Sequence, residues 1–564
     1  MADTLREAIL EHHARHPDRL YVRCVAPDGS DERISYGTLT GRGSQFAAVY
    51  TSLGSNPGAI VIIILPHCAD LYCAFFGAVL GGQIPSILAV PSFKLNAEHW
   101  QHELEALLNR IDARVLVTDT ATASHLTLTD GRVGRASVVL ADRLEHAPAP
   151  IPHVQTAPAD IVLLQHSSGS TGLKKGVALS NRSVLNQVED YAPTLHLQDA
   201  DRIASWLPLY HDMGLIACAV LPVVFGVPVS AVSPFHWVTR PASLLRVIHD
   251  DRCTLAWMPN FAYEFMATRV RDSQTEGVRL DSMRGWINCA EPTLAQSHRD
   301  FLRRFGPLGV RPETLWTCYA MAETTFAASQ SSDRTPPRIE RLDREGFLAS
   351  REARLAPSAD APAIETMSGG LVLPGTQVKI VDDERRSLPD RRIGEIAIRS
   401  RSLFSGYFKD PASTSKVLED GWYYSGDLGY LAEGHLFITG RKKDIIIIGG
   451  RNYYPQDIER IVSSVTGIYP GRTVALGLDD PSIGTQRLIV LAEVQEAGLE
   501  NDPDVAARVR MAVSEQLDCA IDDLRLLPHM WLLKTSSGKI ARAPNLQRYL
   551  KELVEPTRQT RPPA

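Results

Sequence analysis

At 564 residues the chain exceeds what a single hydrophobic core serves, so two or more domains are expected. A composition of 44% apolar and 22% charged residues is that of a water-soluble globular protein, and a net charge of −6 gives no electrostatic reason for a nucleic-acid partner. The eight cysteines are scattered, with no C-x-x-C pair and no metal-ligand spacing, which predicts reduced, mostly buried thiols in a cytoplasmic setting. The polar stretch from Met1 to Arg15 is no secretory signal, and apolar runs such as Ile60 to Pro66 are far too short to span a membrane, so stable membrane insertion is not expected.

Taken in order, Leu5, Ile9 and His12 mark a helical pattern, Tyr21 to Val25 a strand, and Ser35-Tyr36 the start of a helix reaching toward Leu53. The continuous run Ala59 to Leu65, rich in β-branched residues, predicts a strand covered on both faces. A helix over Ala69–Leu80 and a strand over Ile84–Val90 complete a β-α-β unit. The alternation recurs at Val115–Thr118, Val138–Leu140 and Ile161–Leu164, which predicts an α/β chain with largely parallel sheets.

The strand at Ile161–Leu164 runs into Gln165-His166-Ser167-Ser168-Gly169-Ser170-Thr171-Gly172-Leu173-Lys174-Lys175-Gly176. Such a backbone bends tightly and leaves amides and hydroxyls exposed. It can wrap a polyphosphate, its amides forming an anion-binding nest to which Lys175 adds a point charge. The other reading is a Gly/Ser surface loop. It is not a Walker A loop, because no G-x-x-x-x-G-K-[ST] spacing is present, which argues against an ordinary P-loop kinase or ATPase.

Further on, Trp206 to Leu215 places a His211-Asp212 pair at a turn opening an apolar helix, where Asp212 as a helix cap beside a structural His211 is the alternative to a functional pair. Leu255 to Tyr263 is aromatic-rich and predicted as core. Trp286 to Pro292 and Leu315 to Thr324 each read as a strand end followed by a turn, the place where open α/β sheets bind ligands. Residues 327–368 change to Ser-, Ala- and Pro-rich composition and predict a long surface insertion. Strands resume at Gln377–Val381 and Gly394–Arg399. The charged turn Arg441 to Asp444 lies between two apolar strands and suits a hinge. The last hundred or so residues hold a helix (Pro455–Val465), strands (Val474–Leu478, Leu488–Val494), a helix (Val505–Leu517) and the Ser/Gly loop from Lys534 to Arg542, enough for a small α+β domain.

The order of these stretches carries a resemblance that none carries alone. The loop ending Lys175-Gly176, then Leu207-Pro208-Leu209-Tyr210-His211, Tyr319 to Glu323-Thr324, Tyr424-Ser425-Gly426-Asp427, Gly440-Arg441-Lys442-Lys443-Asp444 and Ser536-Ser537-Gly538-Lys539 resemble the adenylate-forming superfamily of acyl-CoA synthetases, adenylation domains and luciferases. The similarity spans nearly the whole chain. Within that group it looks most like the fatty acyl-AMP ligases, on Leu207–Leu215, Pro259–Tyr263, Asn288–Pro292, Arg451–Glu459 and the long segment after Thr324. In that family an insertion in the large domain is held to restrain the small domain and disfavour CoA.

The resemblance implies a large multi-layer α/β domain over residues 1–439, a hinge at 440–444, and a small mobile α+β domain at 445–564 carrying a catalytic lysine. It implies that a carboxylic acid, expected to be a fatty acid, reacts with ATP to give an acyl-adenylate and pyrophosphate. The acyl group then passes to a thiol, expected to be the phosphopantetheine of an acyl carrier protein. By the same resemblance Ser167, Ser168, Gly169, Ser170, Thr171, Gly172 and Lys175 grip the β- and γ-phosphates. Glu323 ligates Mg²⁺, with Thr324 at the α-phosphate. Tyr319 stacks on adenine within the turn it shares with Ala320, Met321 and Ala322, while Cys289, Ala290 and Glu291 border the base. Asp427 takes the ribose hydroxyls with Arg441 in support, and Lys443 belongs to the hinge. His211 joins the catalytic set, and Lys539 bridges the carboxylate and the α-phosphate. Three positions depart from the family: Lys174 and Leu533 stand where proline is common, and Ala320 where glycine is usual. Three other readings stay open: an acyl-CoA ligase, an amino-acid adenylation enzyme, and a non-catalytic nucleotide- or acyl-binding protein.

Overall fold

The computed structural model describes residues 2–26, 28–91, 97–145, 149–166, 175–480, 485–535 and 539–554. The chain divides into two compact units, one of Met1–Pro337, Gly369–Val378 and Ile398–Tyr423, the other of Arg338–Ser368, Lys379–Ala397 and Tyr424–Ala564. The phosphate-loop residues Ser167, Ser168, Gly169, Ser170, Thr171 and Gly172, and Lys174 beside them, lie outside the described residues.

The main sheet of the first unit is built from β1 (Leu20–Val25), β2 (Asp31–Ser35), β3 (Ile203–Ser205), β4 (Val229–Val232), β5 (Leu255–Met258), β6 (Gly285–Asn288), β7 (Leu315–Ala320) and β8 (Ala327–Gln330). Their order is β2-β1-β4-β3-β5-β6-β7-β8. The strands from β1 to β7 in that order are parallel, and β2 and β8 pair antiparallel at the flanks. Parallel strands need crossover helices on both faces, which is why β4 to β7 are buried throughout apart from the last residue of β7. Trp257, Trp286 and Trp316, on three neighbouring strands, are fully buried.

A second sheet centres on Ile60–Ile64, flanked by Ile84–Ile87 and Val115–Thr118 in parallel pairing, and all five of its residues are buried. This is the doubly covered strand expected there, followed by the expected helix Ala69–Leu80. A third sheet pairs Ile161–His166 with Gly176–Ser180, and the latter with Gly406–Tyr407, all antiparallel.

The second unit holds an antiparallel pair, Ile468–Asp480 with Thr485–Val494, extended in parallel by Asp523–Leu527. Helices Pro455–Ser463 and Pro503–Leu517 pack their apolar faces into one core. Leu342, Phe347, Leu348, Ala353 and Ile364 belong to that same core, alongside Tyr453, Tyr454 and Ile458. The surface insertion expected over 327–368 is therefore corrected. The segment forms strands at Ala327–Gln330, Ile339–Asp343 and Ala363–Val372 and a helix at Arg344–Ala349. Its apolar anchors are few and set between polar and proline residues, too sparse for a legible period. The second unit is accordingly larger than 445–564, and the turn at 440–444 lies inside it.

All eight cysteines are free, and all but the partly buried Cys68 are buried. No described helix is long and apolar enough to cross a membrane.

Candidate active site

In the first unit the candidate residues gather at the carboxyl ends of adjacent parallel strands, where backbone amides end and turns begin. After β6, Cys289 is buried and Ala290 adopts φ 73°, a left-handed conformation that costs a residue with a Cβ. A buried polar network fixes this turn. Asn288 Nδ2 donates to Asn260 Oδ1 at 3.0 Å and faces His298 Nε2 at 3.1 Å, and Asn260 Oδ1 also accepts from the Leu294 amide at 3.1 Å. Glu291 accepts the Phe261 amide at 3.0 Å, so its carboxylate joins the turn to the first turn of helix Asn260–Arg269. Burial pushes the His298 imidazole down to about 4, so it stays neutral at physiological pH.

After β7 the chain bulges between Tyr319 and Ala320 and closes a single turn, Ala322–Thr324. Tyr319 is buried, while Ala320 and Met321 are half-buried. Thr324 is also buried, and its hydroxyl lies 3.0 Å from the Met321 carbonyl and 2.7 Å from that of Phe326, so in this conformation it is engaged inside the turn. Thr325 sits at φ 67°, a strained position for a β-branched residue, with its hydroxyl donating to the Ser402 carbonyl at 2.6 Å. The Glu323 carbonyl accepts the Phe404 amide at 2.9 Å, and Glu323 Oε1 accepts the Tyr407 hydroxyl at 2.8 Å. Burial first, then the Glu323 charge, pushes the Tyr407 phenol well above its ordinary value, so it remains a donor. Lys175 Nζ lies 4.7 Å from the Tyr407 ring centroid. Sequence reading missed Tyr407. Only the fold sets its hydroxyl against Glu323.

After β3, the His211 amide donates to the Pro208 carbonyl at 3.3 Å and the His211 carbonyl accepts the Leu215 amide at 2.8 Å. Asp212 caps the Met213 amide at 2.8 Å, the structural role weighed for it from sequence. The helix it opens, Met213–Val220, is π-wound, a rare geometry that is frequent at functional sites. A Cβ on Gly214 would stand 2.3 Å from the Pro208 carbonyl oxygen, so the backbone of this turn packs directly on the helix.

In the second unit Asp427 and Arg441 face each other across the pair Trp422–Ala432 and His435–Arg441, with Arg441 Nε 3.2 Å from Asp427 Oδ1. The exposed Lys443 lies in the turn that follows. Lys539 is on a hairpin: Lys534 bridges Ile540, and the Thr535 amide donates to the Lys539 carbonyl at 2.7 Å. Fully buried Asn545 pins its base, accepting the Leu533 amide at 2.9 Å and donating to the Leu533 and Ala541 carbonyls, each at 2.8 Å. This gives leucine a task that proline could not perform, since proline has no N–H to donate.

Among the described residues no three His, Cys, Asp or Glu side chains gather to cage a metal. A lone carboxylate at Glu323 still fits Mg²⁺, which takes one or two carboxylates and completes its shell with phosphate oxygens and water.

An α/β fold with turns at the carboxyl ends of adjacent parallel strands is that of the adenylate-forming enzymes. Residues 9–408 match the AMP-binding enzyme family, to which the chain belongs. It is 30% identical over 514 residues to a medium-chain-fatty-acid–[acyl-carrier-protein] ligase, JamA, of Moorena producens, spanning 88% of this chain and 86% of that one. It is 29% identical over 553 residues to a long-chain-fatty-acid–AMP ligase, FadD26, of Mycobacterium marinum, spanning 93% and 92%. A solved structure from a study of fatty acyl-adenylate ligases of E. coli and L. pneumophila superposes with a TM-score of 0.89 at 27% identity, covering 97% of this chain and 98% of that one.

Proposed function

We propose that the chain activates a fatty acid with ATP and Mg²⁺ and passes the acyl group to the phosphopantetheine thiol of an acyl carrier protein. The observation that carries the first half is the convergence of Lys175 and Glu323 on Tyr407 beyond the carboxyl end of β7, the neighbour of β6, whose own end carries the turn Cys289–Glu291. On this reading Lys175 and the loop before it hold the β- and γ-phosphates. The adenine lies between Tyr319 and the Cys289–Glu291 turn, and Asp427, steadied by Arg441, takes the ribose. Thr324 keeps the turn that aims Glu323, and His211 borders the acid's head group.

Bound Mg²⁺ would supply charge neutralisation on the phosphates, held by Glu323. The fatty acid's carboxylate oxygen forms a bond to the α-phosphorus, and the bond to the bridging oxygen breaks as pyrophosphate leaves. Lys539 offsets the negative charge that builds at that phosphorus, and Lys443 lies in the turn expected from sequence as a hinge. In the second half the thiol sulfur displaces AMP from the acyl carbon and gives up its proton to solvent.

Two observations support a carrier protein over CoA. One relative is named as a carrier-protein ligase. Segment 338–368 shares the apolar core of the second unit, which supports reading it as the counterpart of the family's restraining insertion. The test supplies ATP, Mg²⁺ and a medium-chain acid with either CoA or phosphopantetheinylated carriers, followed by mass spectrometry. Acyl-adenylate with CoA and thioester only on a carrier is the expected result. Rapid acyl-CoA formation would overturn the choice of acceptor, and no adenylate with any fatty acid would overturn the whole reading.

A further inference from the structure

The first unit ties Lys175 and Glu323 to one side chain. Lys175 Nζ stands over the face of the Tyr407 ring, 4.7 Å from its centroid, and the hydroxyl of that ring donates to Glu323 Oε1 at 2.8 Å. The backbone repeats the link. Tyr407 pairs with Val177 across the antiparallel ladder, and the Phe408 amide donates to the Gly176 carbonyl at 2.7 Å, which places Tyr407 beside the exit of the phosphate loop. The Tyr407 amide donates to Thr414 Oγ1 at 2.9 Å. Phe404 packs edge-on to the ring, centroids 5.2 Å apart at 67°, while its own amide holds the Glu323 carbonyl at 2.9 Å. The ring is thus fixed from its backbone, its edge and its hydroxyl.

We infer that Tyr407 is a positioning residue that makes Lys175 and Glu323 one unit toward metal-bound nucleotide; the inference rests on the adenylation reading above. The phenol aims the carboxylate by a charge-assisted hydrogen bond. The ring face holds the ammonium by cation–π attraction. Phosphate bound at Lys175 and the cation bound at Glu323 then reinforce each other, because one rigid ring sets the separation of their two ligands. Tyr407 itself touches neither.

The test uses the full chain without acid, so nothing turns over, with α,β-methylene-ATP as nucleotide and Mn²⁺ as a paramagnetic stand-in for Mg²⁺. Nucleotide affinity in EDTA and Mn²⁺ affinity of the nucleotide complex are measured separately, the latter from the free-ion electron paramagnetic resonance signal. Y407F keeps the ring and loses the hydroxyl. It should leave metal-free nucleotide binding within about two-fold and weaken Mn²⁺ binding about ten-fold, the low end for losing a hydrogen bond to a charged group. Y407L should in addition weaken metal-free binding about three-fold through the lost ring face. Y407F added to E323Q should cost nothing further, because the hydroxyl acts through that carboxylate. Unchanged Mn²⁺ affinity in Y407F, or equal weakening with and without metal, overturns the inference. A wild-type chain that binds no nucleotide under either condition overturns the adenylation reading, and the inference falls with it.

Discussion

Arg542 Nη2 stands between the two carboxylate oxygens of Glu459, 2.8 and 2.7 Å from them. Glu459 also accepts the Ala475 amide at 3.0 Å, and Arg542 Nη1 lies 3.8 Å from Asp444 in the charged turn. Burial raises the Glu459 carboxyl and the Arg542 charge opposes that rise, so each needs the other. Arg542 opens the helix Arg542–Tyr549 just after Lys539, so its bonds tie the segment carrying the lysine to the helix Pro455–Ser463 and the turn at Asp444. Arg542→Ala should destabilise the second unit by roughly 3 kcal/mol, the low end for orphaning a buried charge. Arg542→Gln with Glu459→Gln should recover most of that stability and leave acyl-adenylate formation slow. Thermal unfolding and pyrophosphate release, read together, decide it; full recovery of rate would sink the positioning role.

Lys539→Ala should lower the adenylation rate on the order of 10²–10³, with ATP affinity within a few-fold, since the group acts on charge that develops only in the transition state. Leu533→Pro should act on the same hairpin at a distance. It deletes the N–H held by Asn545 at 2.9 Å and should cost about 1 kcal/mol of stability with a smaller fall in rate. Single-turnover formation of acyl-adenylate separates the two.

Gly214→Ala should disturb the Pro208–His211 turn, because the new methyl would meet the Pro208 carbonyl oxygen at 2.3 Å and no side-chain rotation relieves a clash with backbone. A loss of about 1–3 kcal/mol in the first unit and a raised KM for the acid are expected. A variant as stable and as active as wild type would show that the π-wound helix shifts freely.

Phe347→Leu combined with Arg344→Ala should loosen segment 338–368. Phe347 is buried 5.1 Å from the Tyr454 ring, and Arg344 Nη1 donates to the Glu515 and Gln516 carbonyls at 3.0 and 2.8 Å. The expected outcome is a several-fold rise in acyl-CoA formed relative to carrier thioester, with adenylate formation preserved. An unchanged ratio would remove this segment from any account of acceptor choice.

His298 is neutral when folded, its imidazole held down to about 4 against an ordinary 6.5 by burial. Its stabilising contribution is complete above about pH 6.5. It is lost as pH falls toward 4, because the unfolded chain takes up the proton first, up to ~3 kcal/mol in all. His298→Gln should therefore flatten part of the stability profile of the first unit between those pH values. Denaturant midpoints measured at intervals of half a pH unit would check it; an unaltered slope would mean that other groups carry the acid sensitivity.

The local elements were largely legible. The β-branched run at Ile60–Ile64 and the helix at Ala69–Leu80 fell where hydrophobic patterning put them, because a doubly covered strand and a buried helix leave almost no room for polar residues. The turns at Cys289–Glu291 and Ala322–Thr324 were legible as places. The duties of particular atoms were not: Glu291 ties the turn to the Phe261 amide, and the Thr324 hydroxyl faces inward.

What the amino-acid sequence by itself determined was the succession of elements and the order of its motifs, since periodicity, turn chemistry and motif spacing are local properties of the chain. Only the tertiary structure decided that 338–368 belongs to the core of the second unit. It alone decided that Leu533 needs its N–H, and that Tyr407 stands between Lys175 and Glu323. Those facts join residues from 12 to more than 200 positions apart. Contacts at such separation follow from how sheets and helices stack, and no local pattern encodes them.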